Sequence, residues 1–190
     1  MTHTPLTQAL DALQRGLLIG MPTDTVYGVA ADPFDRAAMD RLFAVKSRDP
    51  DNPIPILGAS AEALAAIAVI DGAAAGAAGR HWPGGLTLVV PVAEGVPAWI
   101  GDDRRTVAVR VPDHAVALEV LHAAGPLAVT SANRSGQPPA LTAEEARLSL
   151  GYGVAVCLEG ESGRGEASTV VDFCGPEPVV LRRGPVRLEA

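Results

Sequence analysis

The feature that most constrains this chain is its series of short apolar runs rich in β-branched residues, at 86–91, 106–111, 127–131, 154–158, 169–173 and 179–182, with helical stretches between them. Such runs read as strands, and a further short strand is predicted over 17–21 before Pro22. The helical segments carry their own signals. Thr4 can cap a first helix, Pro5 suits its first position, Leu6, Leu10, Leu13 and Leu17 repeat at helical spacing, and Gly16 can stop it. Asp35 caps a second, whose apolar face is Met39, Leu42 and Phe43. Ser60 opens an alanine-rich helical stretch to about Ala78, interrupted near Asp71 and Gly72. Another helix starts near Asp113, and Thr142 to Glu145 forms a capping box for a further one. Segment 46–55, with three prolines, reads as a loop. Strands and helices mixed in this way predict an α/β or α+β domain around a sheet. No repeat or linker interrupts it, so residues 1–190 are expected to form one domain.

Composition narrows the class. With 48% apolar and 4% aromatic residues, the core must be built from Ala, Val, Leu and Ile. No apolar run reaches the roughly 18–20 residues of a membrane span, and residues 1–5 show no signal-peptide pattern. A cytoplasmic location without membrane contact is therefore expected, with Cys157 and Cys174 as buried free thiols. The net charge of −7 argues against a broad basic surface for nucleic acid, but not against a local cationic cleft.

Four stretches are poor choices for a core. Pro22-Thr-Asp-Thr25-Val-Tyr-Gly28 follows a strand and gathers hydroxyls, a carboxylate and a glycine; it is either an ordinary polar turn or a ligand loop. Lys46-Ser-Arg48, followed by Asn52-Pro53, suits phosphate groups, although cations also favour a helix C-terminus for the dipole alone. Arg110 lies in an apolar strand, on one face with Thr106 and Ala108; it either snorkels at an edge or meets a buried anion such as a ligand carboxylate. Thr130-Ser-Ala-Asn133-Arg-Ser-Gly136 follows the strand ending at Val129, where small polar side chains often meet ligands. Ser168-Thr169 and Arg182-Arg183-Gly184 could serve anionic oxygens. Walker-type and dinucleotide glycine loops, HExxH, clustered metal ligands and a GxSxG elbow are all absent from the sequence.

Taken in order, PTDTVYG, KSR with NP, HWPGGLT, TVAVRVPDH, TSANRSG, STVVD and LRRG resemble the YrdC-like family of threonylcarbamoyl-AMP synthases, in its short, TsaC-type, single-domain form, from about residue 17 to 184. The resemblance implies an α/β fold: a twisted open mixed sheet flanked by helices, with a basic concave ligand-binding surface. It implies that L-threonine, bicarbonate and ATP, with Mg2+ bridging phosphate oxygens, yield threonylcarbamoyl-adenylate and pyrophosphate. Other proteins would then transfer the threonylcarbamoyl group to an adenosine of tRNA, with weak RNA contact possible. Carried over by motif, Lys46, Arg48, Ser131 and Asn133 form the signature of the catalytic site. Arg48, Asn52, Thr106, Ser131 and Arg182 look like ATP contacts, and Thr25, Arg110 and Ser168 like threonine contacts; no dedicated protein metal ligand is implied. This chain departs from the family pattern at Asp49, Gly85 and Arg183, where relatives usually have Pro, at Pro139, where a serine is frequent, and at about Leu57, where longer relatives carry a histidine. Two other readings fit the same motifs: a YrdC-like module that binds RNA without chemistry, and a carbamoyl-adenylate-forming relative.

Overall fold

The computed structural model describes residues 4–49, 52–103, 105–163 and 165–188. Its strands are β1 (Ile19–Met21), β2 (Gly28–Ala31), β3 (Ile56–Leu57), β4 (Leu86–Pro91), β5 (Thr106–Arg110), β6 (Leu127–Ser131), β7 (Val156–Cys157), β8 (Thr169–Asp172) and β9 (Val179–Arg182). The helices are α1 (Pro5–Gln14), α2 (Arg36–Lys46), α3 (Ala61–Leu64), α4 (Gly72–His81), α5 (Ala115–Ala124) and α6 (Ala143–Leu150). All nine strands join one sheet in the order β7-β1-β2-β6-β3-β5-β4-β8-β9. The pairs β1/β7, β3/β5 and β4/β8 are parallel and the rest antiparallel, so this is the expected α/β fold around a mixed open sheet.

Each face of the sheet has its own core. Ala9, Ala12 and Leu13 of α1 and Ala117, Val120 and Leu121 of α5 pack on Ile19, Met21, Ala30 and Leu127. The opposite face carries α2, α4 and α6 through Met39, Leu42, Ala77, Ala146 and Leu150, against Val29, Ile56, Leu88, Val109 and Val171. Alternation along the strands therefore sends Leu86, Leu88 and Val107, Val109 into the second core. Thr87, Ala108 and Arg110 are left on the other face. That face is helix-covered only over the β1-β2-β6 side, and its uncovered part becomes a cleft.

Side-chain caps explain where several helices start. The Thr4 hydroxyl accepts from the Thr7 amide and the Asp35 carboxylate from Ala37 and Ala38, as the cap signals predict. In the capping box the Thr142 hydroxyl accepts from the Glu145 amide, while the Glu145 carboxylate accepts from Leu141 rather than from Thr142.

Several expectations are corrected. The alanine-rich stretch is helical only at 61–64 before α4, because Ala68 bridges to Val92 at the sheet margin. The strand predicted over 154–158 is only two residues long. β2 and β3 carry no strand signal strong enough to read. Cys157 is half-buried and Cys174 exposed, not buried as expected. No helix among the described residues is long and apolar enough to cross a membrane.

Candidate active site

The cleft has a volume of about 360 Å³, within the range of small-molecule sites. Its floor is Leu57, Thr87, Ala108, Val129 and Val170. Around the floor stand Thr23 and Thr25 from the loop after β1, Arg48, Asn52 and Pro53 from the loop after α2, Thr130 and Ser131 from the end of β6, Ser168, and Arg182 of β9. Six of the residues expected at the site from sequence thus line one cavity: Arg48, Asn52, Ser131, Arg182, Thr25 and Ser168; Arg110 makes a seventh.

Arg110 is the anchor. Its side chain is 6% exposed, and its Nη2 meets the Asp24 carboxylate at 2.5 Å. Nε donates to the Gly84 carbonyl at 2.8 Å, and Nη1 to the Thr25 hydroxyl at 2.9 Å. A guanidinium carries five N–H donors; these three bonds leave one on each terminal nitrogen for a ligand, a spacing suited to a carboxylate. The Thr23 hydroxyl locks the loop beneath, lying 3.0 Å from the Thr25 hydroxyl and accepting from the Thr25 and Val26 amides.

Two further guanidiniums complete a cationic rim. Arg182 donates from Nε to the Ser168 carbonyl at 2.9 Å and from Nη2 to the Ser168 hydroxyl at 3.1 Å. Arg48 donates to the carbonyls of Asn52 at 2.8 Å and Pro53 at 3.1 Å, which pins the proline-rich loop to the rim. Burial disfavours the charge on all three arginines; repulsion from Arg182 adds to this at Arg48, and repulsion from Arg110 adds to it at Arg182. At Arg110 the Asp24 charge opposes the shift. The protein as a whole is acidic, yet this cavity gathers three cations around one paired carboxylate. An anion with several charged oxygens would relieve that repulsion.

Lys46 is placed differently from its expected position at the phosphates. Its left-handed neighbour Ser47 (φ 50°) turns the chain off α2, and Lys46 is only 2% exposed and lines no part of the cleft. Its Nζ donates to the carbonyls of Ser131 at 2.5 Å and Asn133 at 2.6 Å, with the side-chain oxygens of both at 3.3 Å. The Asn133 amide nitrogen is turned back to the carbonyls of Arg134 and Gln137. Lys46 and Asn133 therefore build the loop that presents Ser131, from behind the wall. Thr106 does not reach the cleft either: it sits at the far end of β5, with its amide on the Asp102 carboxylate at 2.8 Å.

Burial, with the nearby Arg48 charge, pulls the Lys46 ammonium down to about 8. A lysine whose folded value lies below its unfolded one binds fewer protons when folded, so its contribution to stability rises with pH between those two values. Urea unfolding of the unaltered protein, relative to Lys46→Met, should show unfolding free energy rising from pH 8 towards pH 10, by up to about 3 kcal/mol. Parallel pH curves would contradict the lowered Lys46 value.

Thr87 lies in the HWPGGLT motif, where nothing in the sequence singles out its hydroxyl. It is 1% exposed, lines the floor and places its hydroxyl 2.7 Å from that of Ser168. Asp24, in PTDTVYG, likewise has its function as Arg110's partner only in three dimensions. Gly85 stands where the family pattern has Pro; a Cβ there would lie 2.7 Å from Cγ of Pro185, two residues after Arg183, another departure from that pattern.

The fold is α/β, with a cleft rimmed by arginines on the open face of a mixed sheet. The Sua5/YciO/YrdC family model, described as "Telomere recombination", matches residues 11–184. A relative from Mycobacterium tuberculosis is 44% identical over 187 residues, which cover 97% of this chain and 86% of that one. A Vibrio cholerae protein named threonylcarbamoyl-AMP synthase is 39% identical, over 94% of this chain and 97% of its own. Among solved structures, Sua5 of Pyrococcus abyssi complexed with L-threonine superposes with a TM-score of 0.87 at 39% identity, and Escherichia coli YciO with 0.86 at 25%. The chain covers 93% of itself but about half, 53%, of the Pyrococcus protein, and 94% of itself and 88% of YciO. The chain belongs to the Sua5/YciO/YrdC family.

Proposed function

We propose that this protein is a threonylcarbamoyl-AMP synthase, joining L-threonine, bicarbonate and ATP into threonylcarbamoyl-adenylate with release of pyrophosphate. The observation that carries the reading is the trio Arg48, Arg110 and Arg182 around one cavity, with two Arg110 donors left over. Relatives bearing that activity in their names support it, as does the superposition on Pyrococcus abyssi Sua5 solved with L-threonine. The union of all nine strands in one sheet supports reading residues 1–190 as a single domain.

In this reading the threonine carboxylate sits on the free N–H groups of Arg110, beside Thr25. The uncharged amine of threonine adds to bicarbonate with loss of water, giving a carbamate. One carbamate oxygen then attacks the α-phosphorus; the new P–O bond forms as the bond to pyrophosphate breaks. The protein's task is positioning and charge neutralisation. Arg48 and Arg182 face the phosphates, and Ser131 orients the nucleotide from the loop that Lys46 and Asn133 build. Among the described residues no group of three or more His, Cys, Asp or Glu side chains could hold a metal. Mg2+ would therefore enter on the triphosphate and take its ligands largely from it. Transfer proteins acting on tRNA would consume the product.

The test is pyrophosphate release from ATP with each component omitted in turn. Release should require both threonine and bicarbonate, and carbamoyl phosphate should not replace them; release that ignores threonine would sink the proposal. Arg48→Ala should raise the KM for ATP about 10-fold, the scale of one charged hydrogen bond at a partly open site, with a smaller effect on the KM for threonine. Equal effects on both would contradict its place at the phosphates.

A further inference from the structure

We infer that Thr87 is a positioning residue, whose hydroxyl turns the Ser168 hydroxyl into a hydrogen-bond donor aimed at an anionic oxygen of the amino-acid-derived substrate. The inference rests on the proposed function.

The argument is one of counting protons. A serine hydroxyl has one proton and two lone pairs. Arg182 can only donate, and its Nη2 places a proton on the Ser168 oxygen at 3.1 Å. The Thr87 oxygen lies 2.7 Å from that same oxygen, and one of the two must donate. If Ser168 donated, the Thr87 proton would be left on a side chain that is 1% exposed, and Ser168 is the partner within reach of its oxygen. An unsatisfied buried hydroxyl is costly. If Thr87 donates, both Ser168 lone pairs are filled, by Thr87 and Arg182, and the Ser168 proton points to the remaining direction, the cleft that Ser168 lines.

The second arrangement satisfies every group once an acceptor enters. That acceptor is drawn to a place next to the Arg182 guanidinium, so it is an anionic oxygen, and with Ser168 expected among the threonine contacts it belongs to the amino-acid-derived substrate. Two donors feeding the Ser168 oxygen also strengthen its own O–H as a donor. The backbone supports the pairing: Thr87 is in register with Val170 in the parallel β4/β8 ladder, and the Thr169 amide is tied to the Gly85 carbonyl at 2.9 Å. Ser168 is thereby fixed over Thr87 by main-chain bonds, and valine at 87 would keep the shape while removing the proton.

The experiment compares Thr87→Val, Thr87→Ser, Ser168→Ala and the Thr87→Val/Ser168→Ala pair in the full chain. The readouts are KM and kcat for threonine and for ATP, with a melting curve for each variant. Thr87→Val should raise the KM for threonine about 10-fold, on the scale of one hydrogen bond to a charged group. The KM for ATP should stay within about twofold, and Thr87→Ser should restore the threonine value. In the Ser168→Ala background Thr87→Val should add nothing, because the group it orients is gone. An unchanged KM for threonine, an equal rise for ATP, failure of the serine to rescue, or additive losses in the pair would each overturn the inference. Should Thr87→Val not fold, Thr87→Ala takes its place in the same comparisons. If the unaltered protein shows no threonine-dependent release of pyrophosphate, the proposed function fails and this inference fails with it; normal turnover with an unaffected Thr87→Val overturns this inference alone.

Discussion

Replacing Arg110 with alanine should lower threonine-dependent adenylate formation about 10³-fold, the scale of losing a preorganised charge contact together with its positioning role. Two losses combine. The free N–H pair that would hold the substrate carboxylate disappears, and the Thr25 hydroxyl and Gly84 carbonyl lose the donor that holds them in place. The variant should also be destabilised by about 3 kcal/mol, because the Asp24 carboxylate is left in a mostly buried site without its ion-pair partner. Urea unfolding separates the two effects. Adding Asp24→Ala to Arg110→Ala should recover much of the stability, since the orphaned charge is gone, yet recover no activity. Arg110→Lys should remain strongly impaired, because one ammonium cannot span Gly84, Thr25 and Asp24 and still offer two parallel donors. Recovery of turnover in the double variant would show that Arg110 serves stability and not the substrate.

Lys46→Ala should lower turnover by about 10²-fold or more, although no atom of Lys46 lines the cleft. Removing the ammonium strips the Ser131 and Asn133 carbonyls of their donor at 2.5 and 2.6 Å, behind the cleft wall. The loop would keep its flanking tethers, from the Ala132 amide to the Tyr27 carbonyl and from the Ser135 amide to the Lys46 carbonyl. Its centre, which presents Ser131, would lose its fixed geometry. The KM for both substrates should therefore rise while kcat falls. Arginine should not rescue: its planar fork does not match four oxygens gathered around one point, and the site is packed. A pure rise in the KM for ATP, with full rescue by arginine, would instead return Lys46 to the phosphates.

The sheet was legible wherever β-branched residues mark a strand, as at Leu127–Ser131 and Val179–Arg182, where the predicted bounds match the structure. It was not legible at β2, whose Gly-Val-Ala-Ala sequence has a single β-branched residue and is held as a strand by β1 and β6 on either side. Nor was it at β3, two residues that pair with β5 and β6 just after Pro55. Ala68 shows the reverse failure: helical propensity around it yields to a bridge with Val92. At the site, Arg110 stood out unaided, as a cation in an apolar strand, whereas the expected roles of Arg48, Ser168 and Arg182 came from the order of the motifs and the family they resemble. The motifs could not say which way Lys46 turns. That depends on a left-handed Ser47 and on two carbonyls 85 and 87 residues away. Thr87 was hidden for a related reason: in an apolar strand, threonine is also a good β former, and only the approach of Ser168 gives its hydroxyl a task.

The most direct measurement is mass spectrometry of the product formed from ATP, L-threonine and ¹³C-bicarbonate by the purified chain. The account predicts an adenylate that carries both threonine and the ¹³C label, formed with pyrophosphate and lost in Arg110→Ala. An adenylate of threonine without the label, or pyrophosphate release with no labelled adenylate at any time point, would contradict it.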